Sequence, residues 1–350
     1  MADTRRSDPE LQVRRLRLAD LYEELVRSVR EEARALDEPI FVARRAGDEA
    51  RAAKLARDQQ RLEGEVGRAR AKAIEAYESL SKSHPDFDRR DEALWRQGSM
   101  LEEAAGDLRR GREREEVATP SKAERELRQR ARTAYHELIK SHPSSSFVAH
   151  GYLAFAEHYF DGGQIPVALR FYEKVASYDG SPVQGYALYK SAWCHVNLQQ
   201  DREAVSGFVT VIEHARSHPR SPMSGPLARQ SRRELIGPFA RAFPPRRAWE
   251  LFRRVGGDHA TEMMELLAQH YFDQGEWQRA AAAYHTLMAH HERGDRLCFY
   301  QSQAARCALR SATPHESLTE LRRTVDLMET VSGGGHASGA VGRCRGGVAQ

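Results

Sequence analysis

Two short stretches carry residues whose types and spacing could do chemistry. HYFDGGQ occupies 158–164 and HYFDQGE occupies 270–276. In each, a histidine precedes an aspartate by three positions, His158 with Asp161 and His270 with Asp273. On a helix such a pair shares one face, so it could offer two ligands to a metal ion or form a short proton relay. Two ligands are too few, because protein metal sites take three or four. The copies also stand at a fixed offset, 270 − 158 = 112, which holds without a gap from HYFDGGQIPVALRFYEKV (158–175) to HYFDQGEWQRAAAAYHTL (270–287). The histidine and aspartate therefore read as equivalent positions of a repeated unit.

The other chemical candidates are weaker. Cys194 and His195 are adjacent, and adjacent helical residues do not face each other. GGGHASGAVG at 333–342 lacks the Gly-Lys-Ser/Thr ending of a phosphate loop. The four cysteines (Cys194, Cys298, Cys307 and Cys344) form no CxxC pair, which argues against a disulfide framework or a zinc knuckle. His84, His142 and His218 each stand in a Ser-His-Pro triplet, where proline stops a helix. His290 and His291 suit the carbonyl-rich end of a helix. No GxSxG, HExxH or paired-carboxylate arrangement is present. No catalytic residue, cofactor site or metal ligand is assigned, and the expectation is a protein that is not an enzyme.

What recurs instead is a packing pattern. An alanine is followed four residues on by an aromatic and three further on by an aliphatic: Ala73-Tyr77-Leu80, Ala131-Tyr135-Leu138, Ala168-Tyr172-Val175, Ala204-Phe208-Val211, Ala248-Phe252-Val255 and Ala280-Tyr284-Leu287. Ser317 and Leu321 form a last, weaker copy. These positions lie on one helical face, where the small residue lets a neighbouring helix approach and the aromatic fills the space beside it. A preceding helix carries Phe155-Ala156-Tyr159, and again Leu267-Ala268-Tyr271. The glycine that follows, Gly163 or Gly275, ends it in the left-handed conformation. Each unit is helix, tight turn, helix, and such hairpins must stack to bury their apolar faces.

Composition agrees. The chain has 350 residues, 40% apolar and 30% charged, and stacked hairpins fit so modest an apolar share. The net charge is +4, and the charges are mixed in sign, as in EELVRSVREEARALDE at 23–38, so nucleic-acid binding is not expected. No stretch approaches the length and apolarity of a membrane span, and MADTRRSDPELQVRRLR at the start shows no signal peptide. The expected location is the cytoplasm as the chain is written, or the periplasm or envelope if it is part of a longer one.

The order Leu/Tyr, Leu, Gly/Ala, Tyr, Gly, Ala, Phe/Tyr, Ala/Val, Pro over about 34 residues resembles the tetratricopeptide repeat. The resemblance covers roughly residues 11–330. YALYKSAWCHVNLQQDREAVSGF (186–208) is similar to repeats of bacterial envelope and gliding-motility proteins. The resemblance implies an all-α, right-handed superhelical solenoid of about six to seven hairpins, with helical insertions near the N-terminus. The divisions are N-terminal hairpins with a long charged helical insertion over 1–106 and a charged insert over 107–130 that loops outward. Central units follow over 131–217, then a Pro/Ser linker over 218–226, C-terminal units over 227–330 and a disordered glycine-rich tail over 331–350.

In this family the first helix of each unit lines a concave groove that holds a protein partner. Carried over by position, the groove residues are Glu157, Phe160 and Asp161, with His150 and Leu153 beside them. The next unit gives Tyr186, Tyr189, Trp193 and Asn197, the next Arg233 with Gln230 and Arg241. The last gives Gln269, Phe272 and Asp273, with Glu262 and Glu265. Tyr186, Tyr189 and Trp193 are the best hot spot, since aromatics dominate such patches. The alternative is that some of these side chains pack against the neighbouring hairpin. The Lys/Asn set with which some relatives clamp a peptide carboxylate is not apparent, only Asn197 fitting it loosely. The resulting expectation is a non-enzymatic scaffold holding a protein partner, in a bacterial envelope or motility assembly. The alternatives are a regulator of transcription or of a kinase, and an enzyme with a repeat docking arm.

Overall fold

The alanine–aromatic–aliphatic triplets become the buried faces of helices. All eighteen residues of the six complete triplets are buried, from Ala73, Tyr77 and Leu80 to Ala280, Tyr284 and Leu287. In the weaker seventh copy Ser317 is half-buried and Leu321 exposed. The computed structural model describes residues 9–114, 116, 119–290, 296–311 and 314–333, and among them there is helix and no strand. Packing divides the chain into two compact units, Met1–His158 and Tyr159–Gln350.

In the first unit α1 (Pro9–Arg34) lies along α3 (Glu49–Ser83), with the short α2 (Asp37–Arg45) between them in sequence. Gly47, at φ +74°, breaks the chain after α2, and Asp48 caps α3 by accepting the Arg51 N–H at 3.0 Å. Next come α4 (Arg90–Arg114) and α5 (Lys122–Ser141), packed on each other. The charged insert expected to loop outward over 107–130 is therefore mostly helix. It completes α4, and Ser121 then starts α5 by accepting the Glu124 N–H at 3.0 Å. Its many charges do not oppose helix formation, since Arg and Glu are good helix formers. α6 (Val148–Asp161) begins in this unit.

The second unit continues with α7 (Ile165–Ala176), α8 (Gln184–Asn197), α9 (Asp201–Ser217), α10 (Ser224–Glu234), α11 (Ile236–Ala242), α12 (Ala248–Gly256), α13 (Ala260–Asp273), α14 (Trp277–His290), α15 (Leu297–Arg310) and α16 (Pro314–Gly333). Most pack chiefly on their neighbours in sequence, as a stack of hairpins requires, while the short α11 packs on α9 and α13. One first helix is split into α10 and α11. Pro238 lacks the N–H that would bond the Glu234 carbonyl, and its ring clashes there, so the helix re-forms in a new piece. The stretch 218–226 is a turn to Met223 and then helix, and Ser224 Oγ donates to the His218 carbonyl at 2.7 Å.

The turns repeat as faithfully as the helices. Gly163 and Gly275 sit at φ +71° and +73°. The next N–H, of Gln164 or Glu276, donates back to Tyr159 or Tyr271 at 2.8 and 2.9 Å, a Schellman closure. The third such turn has no glycine. Gln199 takes φ +59° and Gln200 donates to the His195 carbonyl at 2.9 Å. Holding a non-glycine residue there costs about 1–2 kcal/mol, so packing dictates the turn. His84, His142 and His218 each follow the last residue of a second helix, donating their N–H to the carbonyl four residues back. The glycine-rich stretch called disordered lies, from 334 on, outside the described residues, as does His291.

Candidate functional site

The groups with chemical potential are tied up in structure. Cys194 is fully buried, and His195 Nδ1 lies 2.7 Å from Gln200 Oε1, fixed to the turn that follows its helix. Burial pushes the Cys307 thiol up to about 11, so it stays protonated at neutral pH. His158 Nδ1 lies 3.3 Å from Arg132 Nη1 within the first unit. His270 is lowered by burial, with Arg241 adding to the effect. Among the described residues no three His, Cys, Asp or Glu side chains gather so as to hold a metal ion, and no helix is long and apolar enough to cross a membrane.

In the second unit, α8, α10, α13 and α15 are first helices, and polar contacts step from each to the next. Tyr189 on α8 hydrogen-bonds Gln230 on α10 and feels the charge of Glu234. Burial raises its hydroxyl above the ordinary value, Glu234 adds to this, and bonds with Trp193 and Gln230 oppose it. Arg232 on α10 is lowered by burial, against the attraction of Glu262 on α13. Glu265 on α13 accepts from Arg296, at 2.6 Å, and from the Tyr300 hydroxyl of α15. Arg233, on the same run, is exposed.

The residues expected to line a groove divide into those that pack and those that stay free of the core. Tyr189 and Trp193 are half-buried and both rest on Phe208 of α9, with ring centroids 6.0 and 6.2 Å from it. Tyr186, also half-buried, lines a small cleft with Gly185, His214 and Leu227. Phe160 meets Tyr172 edge-on at 6.2 Å, and Lys190 Nζ of α8 stands 3.7 Å over its ring. Its counterpart Phe272 meets Trp277 at 5.1 Å, with the guanidinium groups of Arg306 and Arg310 at 5.3 and 5.4 Å. Both phenylalanines thus clasp a cation from a later first helix. Asn197, Gln269, Asp161 and Asp273 are exposed at helix ends. Asn197 Nδ2 donates to the Trp193 carbonyl at 2.8 Å, and Gln269 Nε2 to Asp273 Oδ1 at 2.7 Å. Glu157 is half-buried on α6 in the first unit.

Sequence reasoning missed the cations that organise these rings. Lys190 follows Phe160 by 30 residues and Arg306 follows Phe272 by 34, about one repeat in each case. That spacing was the available signal. Arg279 was missed as well. It stacks on Tyr271 at 4.3 Å and donates to its hydroxyl at 3.1 Å, whereas the first copy has Val167 at that position.

Residues 186–215, which span α8 and nearly all of α9, match the family described as Tetratricopeptide repeat. They hold Tyr186, Tyr189, Trp193 and Asn197 together with Phe208. Repeats of this kind mediate protein–protein interaction. A solved tetratricopeptide repeat protein from Parabacteroides merdae ATCC 43184 is similar over 90% of this chain and 99% of its own, at 14% identity and a TM-score of 0.33, too loose a likeness to build on. No curated protein matches the sequence.

Proposed function

We propose that this chain is a non-enzymatic scaffold that holds a segment of a protein partner along the first helices of its second unit. The observation that carries this reading is the side-by-side run of α8, α10, α13 and α15. That run presents the half-buried Tyr189 and Trp193, the exposed Arg233, and the exposed Gln269–Asp273 pair. Aromatic rings held rigidly by a core residue lose little entropy on binding, and flanking polar groups supply orientation. Phe160 and Phe272 serve as half-exposed edges braced by Lys190, Arg306 and Arg310. A place in a bacterial envelope or motility assembly rests on the wording of 186–208 alone.

The test is affinity capture from cells of the source organism, with wild type beside Tyr189→Ala/Trp193→Ala and beside Arg233→Glu/Asp273→Lys. The second pair alters only exposed residues, so its fold is expected to survive, as circular dichroism would show. Loss of the same captured protein from both variants supports the reading. Equal capture by both folded variants sinks it.

A further inference from the structure

A second cleft in this unit lies between α9, α11 and α12. α9 turns Arg202, Val205 and Val209 (with Ser206) toward one cleft, at helical spacings that place them on one stripe. α11 and the residue after it supply Phe239 and Phe243, and the following turn and α12 supply Arg247, Glu250, Leu251 and Arg254. The cleft measures about 490 Å³, within the range of sites that enclose a small ligand or an anchoring side chain. Its floor is apolar. Phe239 is buried against Phe252, with centroids 5.2 Å apart, while Phe243, Val209 and Leu251 remain half-exposed.

The walls are fixed before any ligand arrives. Arg241 holds Asp201 with both carboxylate oxygens at 3.0 Å from Nε, tying α11 to the start of α9. Arg216 Nη2 donates to the Val255 carbonyl at 3.0 Å, tying the far end of α9 to α12. Arg279 Nη2 donates to the Phe243 carbonyl at 3.0 Å and to the Ala240 carbonyl, which pins the floor. A preformed cleft loses little ordering entropy on binding.

The rim carries three arginines and one carboxylate. Arg202 lies over the Phe243 ring at 5.8 Å. Arg247 and Arg254 are exposed, and among the described residues neither has an ion-pair partner. The geometry points to this cleft as a docking site for an acidic segment of another protein, whose bulky aliphatic or aromatic side chain fills the Val209–Phe243–Leu251 floor while its carboxylates meet Arg202, Arg247 and Arg254. The chain's own glycine-rich end is the wrong occupant, since residues 334–350 hold Arg343 and Arg345 and no acidic residue. A purely phosphate-bearing ligand would leave the apolar floor unused.

The probe is a fluorescein-labelled synthetic peptide in which Asp and Glu flank Leu and Phe, titrated with the full chain and read by anisotropy. A matched peptide has Lys in place of every Asp and Glu. The acidic peptide is expected to bind, and to weaken steeply as salt rises past about 0.1 M. The lysine peptide is expected not to bind. Arg247→Glu/Arg254→Glu and, separately, Val209→Asp should each weaken binding by about tenfold or more. Arg247→Gln/Arg254→Gln stands in if the charge reversal melts early. Tyr189→Ala/Trp193→Ala should leave this binding unchanged, which separates the cleft from the surface around Tyr189 and Trp193. The assignment is overturned if the folded chain ignores the acidic peptide or binds both peptides alike. It is also overturned if the rim and floor variants bind as wild type does, or if a DNA duplex displaces the peptide more tightly than unlabelled peptide does.

Discussion

The two units fill the same repeat slot in different ways. In the first, Tyr77 is fully buried, yet its hydroxyl donates to Asp20 Oδ1 at 2.8 Å and Glu23 Oε2 at 3.0 Å. Arg96 closes the group by reaching Glu23 at 2.8 Å and Glu92 at 3.0 Å. Further ion pairs cross between helices, among them Arg90 with Glu137, Arg130 with Glu78, and Arg112 with Glu124. In the second unit the corresponding Phe208 sits between Tyr189 and Trp193, Phe252 stacks near Phe239, and Tyr284 lies 6.5 Å from Tyr300. The reason lies in helix length. α1 and α3 run 26 and 35 residues, each buries one apolar stripe (Leu16, Ala19, Val26 and Val29 on α1), and charged residues beside that stripe pair across helices. Shorter helices of 12 to 17 residues, such as α7 to α9, can be held by their aromatic slot.

The largest expected effect tests that division directly. Phe208→Ala should cost the second unit about 3–5 kcal/mol, the price of an emptied aromatic site. Tyr77→Phe keeps the ring and removes only the two bonds to carboxylates, so it should cost the first unit about 1.5–3 kcal/mol. Tyr284→Phe, at the same slot in the second unit, should be nearly neutral, because its hydroxyl is pushed up to about 12 by burial, with Cys307 and Asp273 adding to it, and not by a hydrogen bond. Urea unfolding followed by circular dichroism gives all three. Equal costs for Tyr77→Phe and Tyr284→Phe would show that the polar cluster adds nothing.

A smaller effect sharpens the same point. Arg70 is 4% exposed, and its Nη1 pairs with Asp107 at 2.5 Å, while Nε and Nη2 are buried without a hydrogen bond. Such a half-satisfied buried charge stabilises little, so Arg70→Met should be neutral or stabilising by about 1 kcal/mol. Asp107 would keep Arg30 and Arg110 beside it. A thermal melt that falls by several degrees would mean that the buried guanidinium supports the first unit after all.

The sequence made the repeat legible because the slot is local. Ala204, Phe208 and Val211 are four and three residues apart, and Gly163 and Gly275 announce their turns. The identical letters around them concealed a difference. Tyr159 is half-buried and stacks on Phe171, whereas Tyr271 is fully buried under Arg279. That difference depends on Val167 against Arg279, outside the matched letters. Phe160 and Phe272 were placed on the right helices, but the cations that cover them come from the next repeat. The arginine-rimmed cleft was invisible because Arg202 and Arg254 stand 52 residues apart on α9 and α12, and Phe239 and Phe243 join them only through the fold. The insert over 107–130 was expected to loop outward, but Arg and Glu favour helix, so most of it completes α4 and begins α5.

The smallest effect concerns pH and follows from which charge state each unit prefers. In the first unit Glu137 is held below its ordinary value by hydrogen bonds from Ser141 and Arg90. It stabilises the fold above about 4.5, and that contribution is lost as pH falls further. In the second unit His214 is lowered by burial and by His218, and His270 by burial and by Arg241; His150 of the first unit is lowered by burial alone. A histidine lowered on folding binds its proton more weakly in the folded state than in the unfolded one. Stability is then intact above the ordinary value of 6.5 and declines as pH drops from there toward the folded value. His270→Gln removes that proton-binding difference beside Arg241. The variant's melting temperature should therefore fall less than wild type's between pH 7 and pH 5, a modest change because the ring is only half-buried. Parallel melting curves for the two proteins would mean that His270 titrates as it does in the unfolded chain.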